Sequence, residues 1–171
     1  DDGDAGSGTV VDVFLRDTTM NLMIAGRDTT GSALTWFFWL LMRHRDVERD
    51  VLEEITSMRR DSSNGTYAGE GFDLDDFRRM RVLHAALSET MRLYPPVAWD
   101  SKHAAVADVL PDGTRVGPGD RVTYFQYGMG RMEAIWGCDA GEFSLERWLT
   151  LPADGNAASG GVSPFKYPVF Q

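Results

Sequence analysis

Two short patterns in this chain combine an acid with a second polar group at helical spacing. In Ala25-Gly26-Arg27-Asp28-Thr29-Thr30, Asp28 stands beside Thr29, and in Glu89-Thr90-Met91-Arg92 the acid precedes an arginine by three residues. An adjacent carboxyl and hydroxyl can relay protons to a bound ligand. A threonine hydroxyl inside a helix can instead return to the carbonyl four residues earlier, here Ala25, leaving only a polar face. Glu89 and Arg92 share one helix turn with Ala85 on the same line, the spacing of a surface ion pair worth about 0.2–0.5 kcal/mol. A second guanidinium, Arg147 in Phe143-Ser144-Leu145-Glu146-Arg147-Trp148, admits another arrangement. A buried carboxylate held between two cations would be strongly hydrogen-bonded and hard to remove singly. Such a network would pin a loop to the helix.

The elements that must position these groups are mostly helical. Apolar residues recur at helical spacing through Val13, Phe14, Met20, Ile24, Leu34, Phe37, Phe38 and Leu41, predicting a helix from Thr9 to Arg43. At 1.5 Å per residue it would span roughly 50 Å. Leu22, Ala25, Gly26, Thr29, Ser32, Ala33 and Trp36 fall on one of its faces, and between the bulky ends every member is small. A mid-helix glycine costs about 1 kcal/mol relative to alanine. Close approach of a flat partner would offset that cost, and so would a tight helix–helix crossing. A membrane span is disfavoured, because Arg27 and Asp28 interrupt the apolar pattern and Thr29 to Met42 falls short of the roughly 20 apolar residues a bilayer needs.

Asp46 is expected to cap a second helix, Val47 to Met58, with Glu48 early and Arg59 and Arg60 late, as the macrodipole prefers. A polar loop is expected at Asp61 to Gly71, then a short helix at Asp73 to Met80. A further helix, Val82 to Leu93, ends at Tyr94-Pro95-Pro96. Val97 to Val106 reads as extended. Turns follow at Pro111-Asp112-Gly113 and Gly117-Pro118-Gly119-Asp120, and Arg121 to Phe125 reads as a strand. The remainder is loop-like. The expected fold is mainly α, in the α+β class, with a long central helix, further helices and a small antiparallel sheet.

Composition narrows the function classes. The 171 residues carry 17 Lys and Arg against 26 Asp and Glu, a formal net charge of −9, which argues against a nucleic-acid groove. At 43% hydrophobic and 25% charged the chain is ordinary globular material, not a disordered one. The lone cysteine, Cys138, permits no internal disulfide and no Cys-rich zinc site, suits a reducing compartment, and is expected to be an inert loop residue. No metal ligand set is expected. The chain opens on Asp1 without an initiator Met and stops at Phe170-Gln171 without a helix stop or charged tail. We expect a fragment, with residues 1–171 forming one partial domain.

The three motifs resemble, in order and spacing, those of the cytochrome P-450 superfamily of haem-thiolate monooxygenases. Ala25 to Thr30 is similar to its oxygen-binding helix motif, Glu89 to Arg92 to its Glu-x-x-Arg helix, and Phe143 to Trp148 to its Pro-Glu-Arg-Phe-like segment. The resemblance covers essentially the whole chain and corresponds to the C-terminal half of such an enzyme, from the oxygen-activation helix to just before the haem-ligand loop. Leu145 departs from it, where the family usually has Pro. Leu93-Tyr94-Pro95-Pro96-Val97, Leu110-Pro111-Asp112-Gly113-Thr114 and Tyr127-Gly128-Met129-Gly130-Arg131-Met132-Glu133 resemble the plant branch that hydroxylates fatty acids and fatty-acyl conjugates near the chain terminus. Phe170 resembles the first residue of the haem loop, which would put the thiolate ligand about six residues beyond Gln171. Cys138, upstream of Arg147, does not match that position.

The resemblance implies a haem cofactor whose iron ligand lies outside this chain. Ala25 and Gly26 would leave room for dioxygen over the haem, and Asp28 and Thr29 would deliver protons for O–O cleavage. Lys102 would pair a haem propionate, where the family more often has Arg or His. Val97, Ala98 and Trp99 would line the substrate pocket, and Glu89, Arg92 and Arg147 would be structural. Also implied are NADPH-derived electrons through a partner reductase, O2, and a small lipophilic substrate. The parent would sit on the cytosolic face of the endoplasmic reticulum membrane through an N-terminal anchor absent here, the fragment itself being soluble. Two other readings stay open: a truncated, inactive chain without stable haem, and a helical interaction module whose small stripe packs a partner helix.

Overall fold

The computed structural model describes residues 5–63, 72–150 and 162–169. Helix α1 runs from Ala5 to Arg43 and α2 from Arg45 to Ser63, with only His44 between them. Asp46 is therefore not a cap but a first-turn residue of α2, beside Glu48. The reason is the continuity of the ladder: His44 N donates to Leu40 O at 2.9 Å and Glu48 N to His44 O at 3.0 Å, so helical bonding passes through the junction. Of the expected polar loop, 61–63 extend α2 and 64–71 lie outside the described residues.

Helix α3, Leu74–Arg79, starts on Asp73 in a reciprocal cap: Asp76 N donates to Asp73 Oδ1 at 2.8 Å and Asp73 N to Asp76 Oδ2 at 3.1 Å. Helix α4, Arg81–Leu93, follows at once and stops before the two prolines. Strands β1 (Asp100–His103), β2 (Asp108–Val109), β3 (Arg115–Val116) and β4 (Arg121–Tyr124) form two antiparallel ribbons. One pairs β1 with β4, Asp100 opposite Tyr124 and His103 opposite Arg121; the other pairs β2 with β3. Between β2 and β3 the Pro-Asp-Gly turn closes with Asp112 Oδ1 accepting Thr114 N at 2.9 Å and Gly113 at φ +89°.

The stretch read as loop-like contains three short helices, α5 (Gln126–Met129), α6 (Glu133–Trp136) and α7 (Glu146–Leu149). Each is four residues long and lacks a side-chain N-cap. Elements that short show neither the apolar periodicity nor the start signals by which a helix is read from sequence.

The core is built around α4. Ala86 meets Phe37 and Leu41 of α1 and Val51 of α2 on one side. Ala85 meets Trp136, Ala140, Trp148 and Tyr167 on the other, and Leu145 packs against both clusters. Small residues on α4 let neighbouring elements approach closely, and each large side chain so buried contributes about 1.5–3 kcal/mol. Among the described side chains of α1 only Phe37, Leu40 and Leu41 are buried, while Val13, Phe14, Met20, Ile24, Leu34 and Phe38 are exposed. Among the described residues no helix is long and apolar enough to cross a membrane.

Candidate functional site

Glu89 and Arg92 are fully buried, on the α4 face that meets α7 and the loops before it. Arg92 Nε donates to Glu89 Oε2 and Arg92 Nη2 to Oε1, both at 2.7 Å, a bidentate pair. The rest of the guanidinium is spent on backbone: Nη1 donates to Ala140 O at 2.7 Å and to Gly130 O, and Nη2 to Glu142 O at 2.9 Å. The carboxylate also accepts Ser144 N on Oε1 and Trp148 Nε1 on Oε2, each at 2.9 Å. Arg147 brings the second cation, its Nε 3.4 Å from Glu89 Oε1 as an ion-pair contact and not a hydrogen bond. Its Nη1 donates to Trp136 O at 2.7 Å, and its Nη2 to Asp139 O and the Asp139 carboxylate, each at 2.6 Å.

The surface-pair alternative for Glu89 and Arg92 is thus excluded. Desolvating these charges is expensive, and the hydrogen bonds on both carboxylate oxygens offset the cost. Aromatic groups wall the site. Trp136 has two cations over its ring, Arg92 (5.1 Å, guanidinium carbon to ring centroid) and Lys166 (4.6 Å, Nζ to centroid). Tyr167 donates its hydroxyl to Ser88 O at 3.0 Å, and burial pushes its phenol well above the ordinary range. The Arg147 guanidinium beside Asp139 holds that carboxyl below its usual range.

Helix α1 presents the opposite picture. Thr29 Oγ1 donates to Ala25 O at 2.7 Å, and the same return bond recurs from Thr19 to Leu15 O and from Thr35 to Gly31 O. Asp28 pairs with Arg27 at 2.8 Å, the two side chains 72% and 80% exposed. A Cβ at Gly26 would meet no heavy atom within 4 Å, and the same holds at Gly31. No helix among the described residues crosses α1 at those glycines. The bulky end of the stripe is occupied: Trp36 stacks on Tyr94 with ring centroids 4.1 Å apart.

The residues after α4 lie apart from the network. Val97 and Trp99 are exposed, with Arg121 5.2 Å from the Trp99 ring. Ala98 is half-buried and its carbonyl accepts Tyr127 N at 3.1 Å. Lys102 is exposed on β1, opposite Val122. Tyr124 donates its hydroxyl to Asp100 at 2.9 Å; the Ser101 amide first, then that hydroxyl, hold the Asp100 carboxyl below its usual range. Cys138 is free and exposed, in the turn after α6. Among the described residues no cluster of His, Cys, Asp or Glu could hold a metal ion.

Sequence reasoning missed much of what holds Glu89 and Arg92. Trp148 was within reach, since it adjoins Arg147. The acceptors at Gly130, Ala140 and Glu142 are main-chain carbonyls, which every residue carries, so no residue type announces them.

An interior Glu-x-x-Arg pair closed by an arginine from a distant segment, in a chain whose long first helix bears an Ala-Gly-x-Asp-Thr-Thr run, is the combination that the resemblance to haem-thiolate proteins calls for. The chain belongs to the cytochrome P450 family, whose model matches residues 4–166. It is 51% identical over 146 residues to Cytochrome P450 94B3 of Arabidopsis thaliana, covering 85% of this chain and 27% of that relative. Over 159 residues it is 51% identical to Cytochrome P450 94B1 of the same plant (92% and 29% covered). Cytochrome P450 94A2 of Vicia sativa is 47% identical over 165 residues (96% and 30%). The chain thus spans under a third of the length of these relatives.

Proposed function

We propose that residues 1–171 are part of the catalytic domain of a haem-dependent monooxygenase. It hydroxylates an aliphatic substrate such as a fatty acid or fatty-acyl conjugate, and its parent sits at the endoplasmic reticulum membrane through an anchor outside this chain. The observation that carries the reading is the meeting of Glu89, Arg92 and Arg147, from two separate motifs, at one buried carboxylate, in a chain of this family.

The residues present fit one side of a haem, because the α1 face at Gly26 is made of small residues and a Cβ there would meet no heavy atom within 4 Å. When bound, haem supplies the activation of O2, with electrons from NADPH through a partner reductase. Ala25 and Gly26 leave room there for a diatomic ligand. Thr29 Oγ1, its own proton directed to Ala25 O, offers lone pairs that accept and pass on a proton. Asp28, once swung away from Arg27, takes a proton from solvent and hands it on. Lys102 is the cation for a propionate, and Val97, Ala98 and Trp99 face the substrate chain. Glu89, Arg92 and Arg147 hold the loop region in place and take no proton from the reaction.

Thr29→Ala in the full-length protein tests the reading. Oxygen uptake should uncouple from product, and peroxide should accumulate, because the proton path is broken. Product formed in the wild-type ratio to oxygen consumed would contradict it.

A further inference from the structure

Helix α4 carries both partners of the buried ion pair, yet it lacks a cap of its own. Its N-terminal flank, Met80, is buried at 1% exposure and makes no side-chain cap bond. The second and third amides of a helix have no intrahelical acceptor and need one. Here they are Val82 N and Leu83 N, and both donate at 2.9 Å to Glu54 of α2, one to each carboxylate oxygen. Met80 is committed to the apolar interior, so the capping group comes from a different helix.

The other end is held in the same way with the opposite charge. Arg131, after α5, donates Nη1 to Leu93 O, the last carbonyl of α4, and to Tyr127 O at 3.2 Å. Its guanidinium lies 3.7 Å from the Tyr127 ring and 5.2 Å from that of Tyr94. An anion at the N-terminus and a cation at the C-terminus both complement the helix dipole. The neighbouring Gly130 abuts the main-chain carbonyl of Arg92 and accepts a hydrogen bond from Arg92 Nη1, which ties this end to the Glu89 network.

We propose that Glu54 and Arg131 are positioning residues that clamp the two ends of α4, setting its register against α2 and α5 and so the placement of Glu89 and Arg92. The effect on haem rests on the proposed function; the effect on α4 does not.

The test uses the full-length protein with Glu54→Ala, Glu54→Gln, Arg131→Ala and Arg131→Lys, and reads amide hydrogen exchange across residues 81–94. In Glu54→Ala, Val82 and Leu83 should exchange about tenfold faster, the size of a lost helix cap, with Thr90 near its wild-type rate. Glu54→Gln keeps one acceptor oxygen and should fall between; it also reads these amides should the alanine variant not fold. Arg131→Ala should fray the last turn and so speed exchange of Tyr94 N, which donates to Thr90 O at 2.7 Å, and Arg131→Lys should partly restore it. Wild-type exchange at these amides, or an equal acceleration along the whole chain, would overturn the clamp. Haem content should fall in the alanine variants and recover in the conservative ones. A wild-type protein that takes up no haem would count against the monooxygenase reading and leave the exchange result standing.

Discussion

Glu89 and Thr29 are both polar residues within helices, and the structure treats them in opposite ways. Around Glu89 both carboxylate oxygens are met by donors from α4, α7 and the loop before α7. Thr29 is bonded only to its own helix, among exposed side chains. The Glu89 carboxylate draws donors from distant parts of the chain, whereas Thr29 stands on a face that is open at Gly26, where a Cβ would meet no heavy atom within 4 Å. Self-satisfied exposed polar groups contribute little to stability, whereas a buried charge left without its partner is strongly destabilising.

The contrast is sharpest for Glu89→Ala, which leaves the buried Arg92 without its counter-ion and Arg147 with Asp139 alone. It should destabilise the fold by about 3–5 kcal/mol, read as a fall in thermal midpoint followed by circular dichroism; a midpoint equal to wild type would erase the distinction. Gly130→Ala comes next, because a Cβ there collides with the Arg92 carbonyl. We expect a loss of about 1–3 kcal/mol by overpacking, measured by denaturant unfolding. Gly26→Ala, with nothing near its Cβ, should by contrast stabilise by about 0.4–1 kcal/mol.

Asp139 tests the rim of the network. Its carboxyl is held below the ordinary value of 3.8 chiefly by the hydrogen bond from Arg147. The stability it contributes is present above 3.8 and is lost as pH falls through the lower folded value. Asp139→Asn should therefore melt below wild type at neutral pH, with the gap closing in acid; a gap independent of pH would remove the ion pair from the account. The smallest effect is expected for Thr29→Ala, within about 0.5 kcal/mol of wild type. A larger loss would mean that α1 is packed at this point after all.

Much of the helical frame was legible because long helices repeat their signals. Apolar periodicity and the paired prolines marked α1 and α4, and the short helix expected at Asp73 to Met80 is α3, with Asp73 as its cap and not its first residue. The junction at His44 was not, since Asp46 is a good cap residue overridden by a ladder that runs on. The small sheet was expected from its turns. The helices α5 to α7, four residues each, were invisible for want of a second turn in which a pattern could repeat. At the site, Glu89, Arg92 and Arg147 were readable as residue types in motifs, whereas Glu54 and Arg131 belonged to none of the motifs singled out for chemistry.

Residue order alone determined which groups are available, their spacing on each helix, and the family to which they belong, because these are local properties of types and intervals. Only the tertiary structure decided that the Glu89–Arg92 pair is interior while Asp28 and Arg27 face water. Burial depends on what the rest of the chain brings to the same point in space, and main-chain carbonyls at Gly130, Ala140 and Glu142 are brought there by folding alone.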